Sequence, residues 1–304
     1  MRYSVFLLLM GATFSVLLTP LSIRYATLLG AIDLPDGGRH RHALPTPRLG
    51  GLALYFAAVF TALFRPLDAV TGAWLAGGGC LAALGVSDDL YSLSPRLKWI
   101  AMTAVATLPV AFGLAPDALS LGQGTIALAR PLSSLFVLLW VLLLTNAFNL
   151  VDGSDGLAAT LAALAACFLF LRGAPPSALA VAGAAFGFLP YNRESLPLFR
   201  RPFATRTFLG DTGALFLGYS LAVLSLGVGT FSLVTPLFFA LPVFDLLRVF
   251  VSRLAHGKSP FSADRSHLHH ILADRGLSRG AILLCYTLVT LLCGALALLW
   301  EGKI

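Results

Sequence analysis

Residues 146–157 read N-A-F-N-L-V-D-G-S-D-G-L and directly follow the apolar run 135–144. Asn146, Asn149, Asp152 and Asp155 recur at intervals of three. On a regular helix that spacing turns each polar group about 60° from the last, so the four fan around half the cylinder rather than along one stripe. Gly153 and Gly156 each follow an Asp. This pattern predicts that the helix opens here, letting carboxylates and backbone amides converge on one ligand at a membrane edge. A lone Asp-Gly would be an ordinary polar turn, but two amides and two carboxylates in register argue for a site.

Composition sets the surroundings of that stretch. The chain has 304 residues, 58% of them hydrophobic and 12% charged, with a mean hydropathy of +0.85. That is too apolar for a soluble domain and predicts an all-α polytopic membrane protein, a single transmembrane domain over 1–304. Cys80, Cys167, Cys285 and Cys293 lie in apolar runs without paired spacing, which argues against a disulfide framework or a zinc knuckle. A net charge of +7 in a soluble chain would suggest a nucleic-acid binder; in a membrane protein it reports loop orientation and anionic head groups, and nucleic acid is excluded as a partner.

Ten stretches are long enough to cross or nearly cross a bilayer: 4–23, 50–65, 69–86, 98–114, 131–147, 156–172, 177–190, 212–230, 233–252 and 280–300. Arg2 precedes the first, as in a signal peptide, but no small-residue cleavage pattern follows before Arg24, so it is counted as a span. Fifteen of the 21 Lys and Arg residues fall in the loops after the odd-numbered spans, five lie on the other side with the termini, and Arg248 lies within the ninth span. The basic side is predicted to be cytoplasmic and both termini outside.

Five inner loops converge on that face and carry unusual chemistry. They contain R-H-R-H-A-L-P-T-P-R-L-G-G (39–51), S-D-D-L-Y-S-L-S-P-R-L-K (87–98), the opening stretch, F-L-G-D-T-G-A (208–214) and G-K-S-P-F-S-A-D-R-S-H-L-H-H (257–270). Asp88 and Asp89 are neighbours whose side chains diverge by about 100° on a helix, so one of them can point squarely at a given ligand. Asp211, between Gly210 and Gly213, suits either a helix N-cap or a magnesium ligand. His267 and His270 share a helix face while His269 does not, and with Arg265 adjacent the cluster suits an anionic phosphate better than zinc. Asp245 and Arg248, spaced i and i+3 in the ninth span, are expected to pair for structure.

In order and spacing these motifs resemble the polyprenyl-phosphate N-acetylhexosamine-1-phosphate transferases, over about residues 33–279. The H-L-H-H form after P-F-S-A-D-R resembles the WecA/TagO branch rather than MraY, which usually carries three consecutive His. The resemblance implies transfer of GlcNAc-1-phosphate from UDP-GlcNAc to a polyprenyl phosphate such as undecaprenyl phosphate, with release of UMP and dependence on magnesium, for which manganese can substitute. The setting it implies is the bacterial inner membrane, as the first membrane step of a cell-envelope polysaccharide. It also implies roles for individual residues. Asp211 would be the principal metal ligand with Asn149; Asp88 and Asp89 would lie near the lipid phosphate and metal. Asn149, Asp152 and Asp155 would hold the nucleotide, and Phe208 would stack on uracil. Arg265, His267, His269 and His270 would face the sugar and pyrophosphate. His42 matches a family His of uncertain role, and His40 stands where members often carry Lys. Expected partners are the UDP-sugar, the lipid phosphate and the membrane, with a homodimer left open. The alternatives are another UDP-N-acetylhexosamine donor, UDP-MurNAc-pentapeptide among them, and a secondary transporter. A transporter would place its polar groups at the bilayer midplane between two repeated halves; here they lie at one edge and no repeat is visible.

Overall fold

The computed structural model describes residues 2–34, 45–64, 66–122, 124–192, 206–227, 230–257 and 266–303. Most of these are helical: α1 (Arg2–Leu29), α2 (Gly50–Ala62), α3 (Ala69–Tyr91), α4 (Pro95–Ala106), α5 (Leu108–Ala111), α6 (Arg130–Val151), α7 (Leu157–Arg172), α8 (Ser177–Phe188), α9 (Gly210–Leu226), α10 (Ala240–Ala255), α11 (Leu268–Asp274) and α12 (Arg279–Trp300). Among the described residues α1, α3, α6 and α12 are long and apolar enough to cross a bilayer, while α2, α7, α8 and α9 are apolar but shorter. This is the helix inventory of a polytopic membrane protein.

Of the shorter helices α7, α8 and α9 lie mostly inside, whereas α2 exposes Phe56 and Phe60. Every residue of α9 from Thr212 to Leu226 is buried, and α2, α3, α6, α7 and α8 pack around it. Small residues permit the close approaches: a Cβ on Gly51 would lie 2.1 Å from the backbone nitrogen of Gly213, and one on Gly85 would lie 2.3 Å from the Cα of Thr212. Lipid tails are as apolar as Leu, so helix association depends on such packing and on internal hydrogen bonds. Trp74 Nε1 donates to Ser220 Oγ at 2.7 Å, Trp140 Nε1 donates to Ser225 Oγ at 2.9 Å, and Tyr219 Oη donates to the Ala73 carbonyl at 2.9 Å. Long side chains such as Leu9, Leu17, Leu135, Leu139, Leu288 and Leu292 stand outward.

Two of the expected spans are not single helices. Residues 98–114 contain α4 and α5, broken at Thr107 ahead of Pro109. The stretch 233–252 begins with a 3-10 turn, Thr235–Phe239, and continues as α10. That helix is two-faced, burying Pro242, Asp245, Val249 and Arg253 and exposing Phe244, Leu247, Val251 and Leu254. The fold is mostly helical as expected, with a few short strands besides. Ile32–Asp33 (β1) pairs antiparallel with Thr46–Pro47 (β2), and Ala118–Leu121 (β3) pairs antiparallel with Gly124–Ala127 (β4) and parallel with Phe231–Ser232 (β5). These strands lie in connections, where no helix supplies partners for the backbone amides.

The two ends of the bundle differ in chemistry. The α2 N-terminus, the α3 and α6 C-termini and the α9 N-terminus meet at one end: the Gly50 and Gly51 amides donate to the carbonyls of Phe208 and Leu209, and Asp211 N–H donates to Asp89. At the other end Tyr3 Oη donates to the Phe64 carbonyl beyond α2, and Arg172 at the end of α7 pairs with Glu301 beyond α12 at 2.8 Å.

Candidate active site

The opening stretch does what its glycines suggest, though not within a helix. α6 runs unbroken through Asn146 and Asn149 to Val151, and the chain then turns through 152–156 with Gly156 at φ 71° before α7 begins. Because the helix ends, all four polar residues line one cavity despite their angular fan. Asn192 holds this turn in place, accepting from Gly156 N–H at 3.0 Å and donating to the Thr207 carbonyl at 3.0 Å.

The cavity has a volume of about 1400 Å³ and two chemically distinct parts. Its polar part is lined by Asp88, Lys98, Asn149, Asp152, Asp155 and Asp211 together with Arg48, Arg206, Phe208, His267, His270 and Arg279. Its apolar part lies between α4, α6 and α10, with Trp99, Met102, Phe136, Leu139, Leu246 and Phe250 in its walls. Lys98 and Trp99 are consecutive in α4, so the two parts meet there.

The adjacent carboxylates divide their roles as their geometry requires. Asp88 lines the cavity, accepting from Lys98 Nζ at 3.0 Å and from Leu93 N–H at 2.9 Å. Asp89 turns away with a fully buried side chain. Its two oxygens accept from Asp211 N–H at 3.1 Å, Thr212 N–H at 3.1 Å and Thr212 Oγ1 at 2.7 Å. Asp89 therefore caps α9 from a neighbouring helix, where the positive end of the helix dipole favours an anion. The N-cap alternative for Asp211 is thereby corrected: its amide is capped by Asp89, and its carboxylate, also paired with Lys98 Nζ, lines the cavity. Gly210 makes this possible, because its φ is +68° and a Cβ there would lie 2.2 Å from the Arg48 carbonyl oxygen and 2.6 Å from Asp89 Oδ2.

Asp155 holds two guanidiniums. It pairs with Arg206 and, at 2.9 Å, with Arg279 at the start of α12. Arg206 also lies over the Phe208 ring, with Cζ 5.1 Å from its centroid. Burial raises the Asp152 carboxyl well above the ordinary carboxylate range, and the charges of Asp211, Asp89 and Asp155 push it further.

Asp245 and Arg248 pair at 2.8 Å, and the pair has a further task. Asp245 also accepts from Leu268 N–H at 2.9 Å and contacts His267 Nδ1 at 3.1 Å, while Arg248 donates to the Ser266 carbonyl. α10 thus fixes the start of α11. With Nδ1 held by a carboxylate, His267 leaves Nε2 for the cavity it lines. His270 lines the same cavity, whereas His269 packs beneath with its ring 4.1 Å from that of His270. Its Nε2 would meet a Cβ on Gly153 at 2.4 Å, so that glycine admits the ring. Burial, then the charges of His270 and His267, pushes His269 down to about 3. His42 and Arg265 lie outside the described residues. Lys98, Arg48, Arg206 and Arg279, none of them singled out by the sequence as a site residue, each line the cavity.

A sequence profile described as "Glycosyl transferase family 4" matches residues 71–229, the segment that contains Asp88, Asp89, the 146–157 stretch and Asp211. The chain belongs to this family. As a family 4 glycosyltransferase it is similar to a probable undecaprenyl-phosphate N-acetylglucosaminyl 1-phosphate transferase of Bacillus subtilis, with 34% identity over 293 residues covering 89% of this chain and 78% of that one. It is also similar to a decaprenyl-phosphate N-acetylglucosaminephosphotransferase of Mycobacterium tuberculosis, at 35% identity covering 86% and 74% of the two chains. Against the undecaprenyl-phosphate alpha-N-acetylglucosaminyl 1-phosphate transferase of Escherichia coli the identity is 28%, over 91% and 78%. These relatives agree with the branch assigned from the H-L-H-H loop.

Among the described residues no three His, Cys, Asp or Glu side chains form a ready cage for a metal. The oxygen donors Asp88 and Asp211, both drawn to one ammonium, fit magnesium nonetheless, since that ion takes one or two carboxylates and completes its shell with phosphate oxygens and water.

Proposed function

We propose that this family 4 glycosyltransferase moves GlcNAc-1-phosphate from UDP-GlcNAc to a polyprenyl phosphate, releasing UMP, with magnesium held by Asp211 and Asp88. One observation carries the reading: a single cavity joins a cluster of carboxylates, guanidiniums and imidazoles to an apolar trough, which suits a reaction between a nucleotide sugar and a lipid phosphate. The names of the relatives support the same donor and acceptor class.

In this reaction two anions are forced together, and the metal supplies charge neutralisation at the phosphates. Arg206 and Arg279, oriented by Asp155, offer donors in the fork geometry that suits phosphate oxygens. Phe208, with Arg206 over its ring, lines the cavity where uracil would stack. His267, held in one tautomer by Asp245, and His270 face the sugar phosphate. Trp99, Met102, Leu139 and Phe250 exclude water along the lipid chain. A lipid phosphate is already largely ionised near pH 7, so positioning matters more than proton removal, as in other phosphoryl transfers.

The setting belongs to the same proposal: ten crossings of the inner membrane, both termini outside and the site at the cytoplasmic face. Opposite ends of the bundle hold the Tyr3–Phe64 and Arg172–Glu301 contacts and the carboxylate cluster, which supports that arrangement. So does the excess of Lys and Arg in the loops at the site end.

The test is UMP release by purified protein with polyprenyl phosphate, magnesium and each of three donors at equal concentration. UDP-GlcNAc should turn over and UDP-MurNAc-pentapeptide should not. UDP-GalNAc, different at one hydroxyl, is the harder donor to exclude, because a neutral hydrogen bond is worth only about 0.5–1.5 kcal/mol. A highest rate with the pentapeptide donor would refute the donor assignment while leaving the family intact.

A further inference from the structure

Lys98 Nζ lies between Asp88 Oδ2, at 3.0 Å, and Asp211 Oδ2, and all three side chains line the same cavity. The ammonium is mostly shielded, at 20% exposure, and the two carboxylates are at 20% or below. Side chains from three elements converge here, α3, α4 and the first turn of α9. Pro95 and Ser94 set the start of α4: the serine Oγ accepts from Leu97 N–H at 3.3 Å, with the proline inside the first turn. This places Lys98 on the turn that faces Asp88. Without a cation between them two half-buried carboxylates repel, and a site built from them would spread.

We infer that Lys98 is the tethered counter-cation of the Asp88–Asp211 pair, holding the carboxylates at ligand spacing and competing with the divalent ion for them. The inference rests on the reading that these two residues hold the metal. The lysine occupies one oxygen of each carboxylate, Asp88 Oδ2 and Asp211 Oδ2, so an ion that takes those oxygens enters only as the ammonium leaves. Affinity for the ion is therefore lowered by the strength of the internal pair, and the empty site stays assembled. Lys98 is a positioning residue in this role. Arg48 also approaches the cluster, at 4.0 Å from Asp89, but it does not bridge the Asp88–Asp211 pair.

The experiment titrates Mn²⁺ into the purified, donor-free protein and follows free Mn²⁺ by electron paramagnetic resonance. Lys98→Met should bind Mn²⁺ roughly tenfold more tightly than wild type, because a partly shielded competing charge has been removed. Lys98→Arg, which keeps the charge, should stay within a few-fold of wild type. Equal or weaker binding by Lys98→Met, with Mn²⁺ bound by wild type, overturns the inference and leaves the metal assignment standing. No binding by wild type or either variant overturns the metal assignment and the inference with it. A second measurement needs no variant. The chain has only three lysines, Lys98, Lys258 and Lys303, so reductive methylation is readily mapped by mass spectrometry. Magnesium should speed methylation of Lys98 as its ammonium is released; an unchanged or slower rate overturns the inference.

Discussion

Asp88 and Asp89 show how little separates a ligand from a brace. The two are chemically identical in sequence, and the argument that one of them must turn away does not say which. The decision lies in Thr212 and Gly210, some 120 residues on, which bring the α9 amides against Asp89 alone. Separating the two roles predicts separable variants. Asp88→Asn should abolish UMP release with thermal stability unchanged within a few degrees, since its partners are Lys98 and a loop amide. Asp89→Ala should cost about 2 kcal/mol in unfolding stability by stripping charge-assisted bonds from the α9 N-terminus. Equal melting temperatures for the two proteins would refute the division. His269 gives a pH-dependent counterpart. Its folded pKa of about 3 lies below its ordinary value, so the folded state holds it neutral while the unfolded chain takes up a proton below about pH 6.5. Stability contributed by the neutral ring is thus full above that pH and falls with acidification at up to about 1.4 kcal/mol per pH unit. Melting temperatures of His269→Gln should decline less steeply between pH 6.5 and 5 than those of wild type; parallel slopes would exclude His269 as the source.

Among the elements, α6, α3 and α9 were visible in the sequence, because each joins a long apolar run to a polar motif. What escaped was the traffic between elements. In sequence Lys98, Arg206 and Arg279 are ordinary basic residues until the fold places them against Asp88, Asp211 and Asp155, and nothing local distinguishes them from other basic residues between the apolar stretches. The hairpin β3–β4 was missed although Gly122 and Gly124 mark its turn, since its strands are four residues each and lie between two long apolar segments. The Asp245–Arg248 pair was expected to be structural; it is, but the structure it serves is the histidine loop. Asp245 fixes both the His267 ring and the Leu268 amide, so α10 controls the approach of α11 to the cavity. In Asp245→Asn the ring loses a charged partner while the side-chain shape persists. Turnover should fall about 10- to 100-fold, the rate equivalent of a charge-assisted hydrogen bond, with donor KM changed less than kcat. An unaltered kcat would show that His267 orientation does not limit the reaction.

For the whole molecule, the fold explains how short buried helices and four long ones hold one polar site at an end of the bundle. α9 is buried from Thr212 to Leu226, so its N-terminus with Asp211 is fixed by α2, α3 and α6 rather than by the bilayer. The apolar trough reaches the same point between α4, α6 and α10, the last of which exposes Phe244, Leu247 and Val251 along one face. A lipid phosphate entering between those helices would bring its head to Lys98 and Asp88 without leaving the membrane, whereas the nucleotide sugar must arrive from water. The proposed topology requires this sidedness, and single-cysteine variants in otherwise cysteine-free protein can test it. Tyr91, 76% exposed just beyond the Asp88–Asp89 pair, and the exposed Arg275 after α11 lie at the site end. Gly124 in the β3–β4 hairpin and Lys303 beyond Glu301 lie at the other end, and both are exposed. Cysteines at 91 and 275 should react with a membrane-impermeant maleimide only after the cells are opened, and cysteines at 124 and 303 should react in intact spheroplasts. Reaction at 91 or 275 in intact spheroplasts would reverse the orientation inferred from the basic loops. Reaction at only one of 124 and 303 would instead mean that the number of crossings between them is odd.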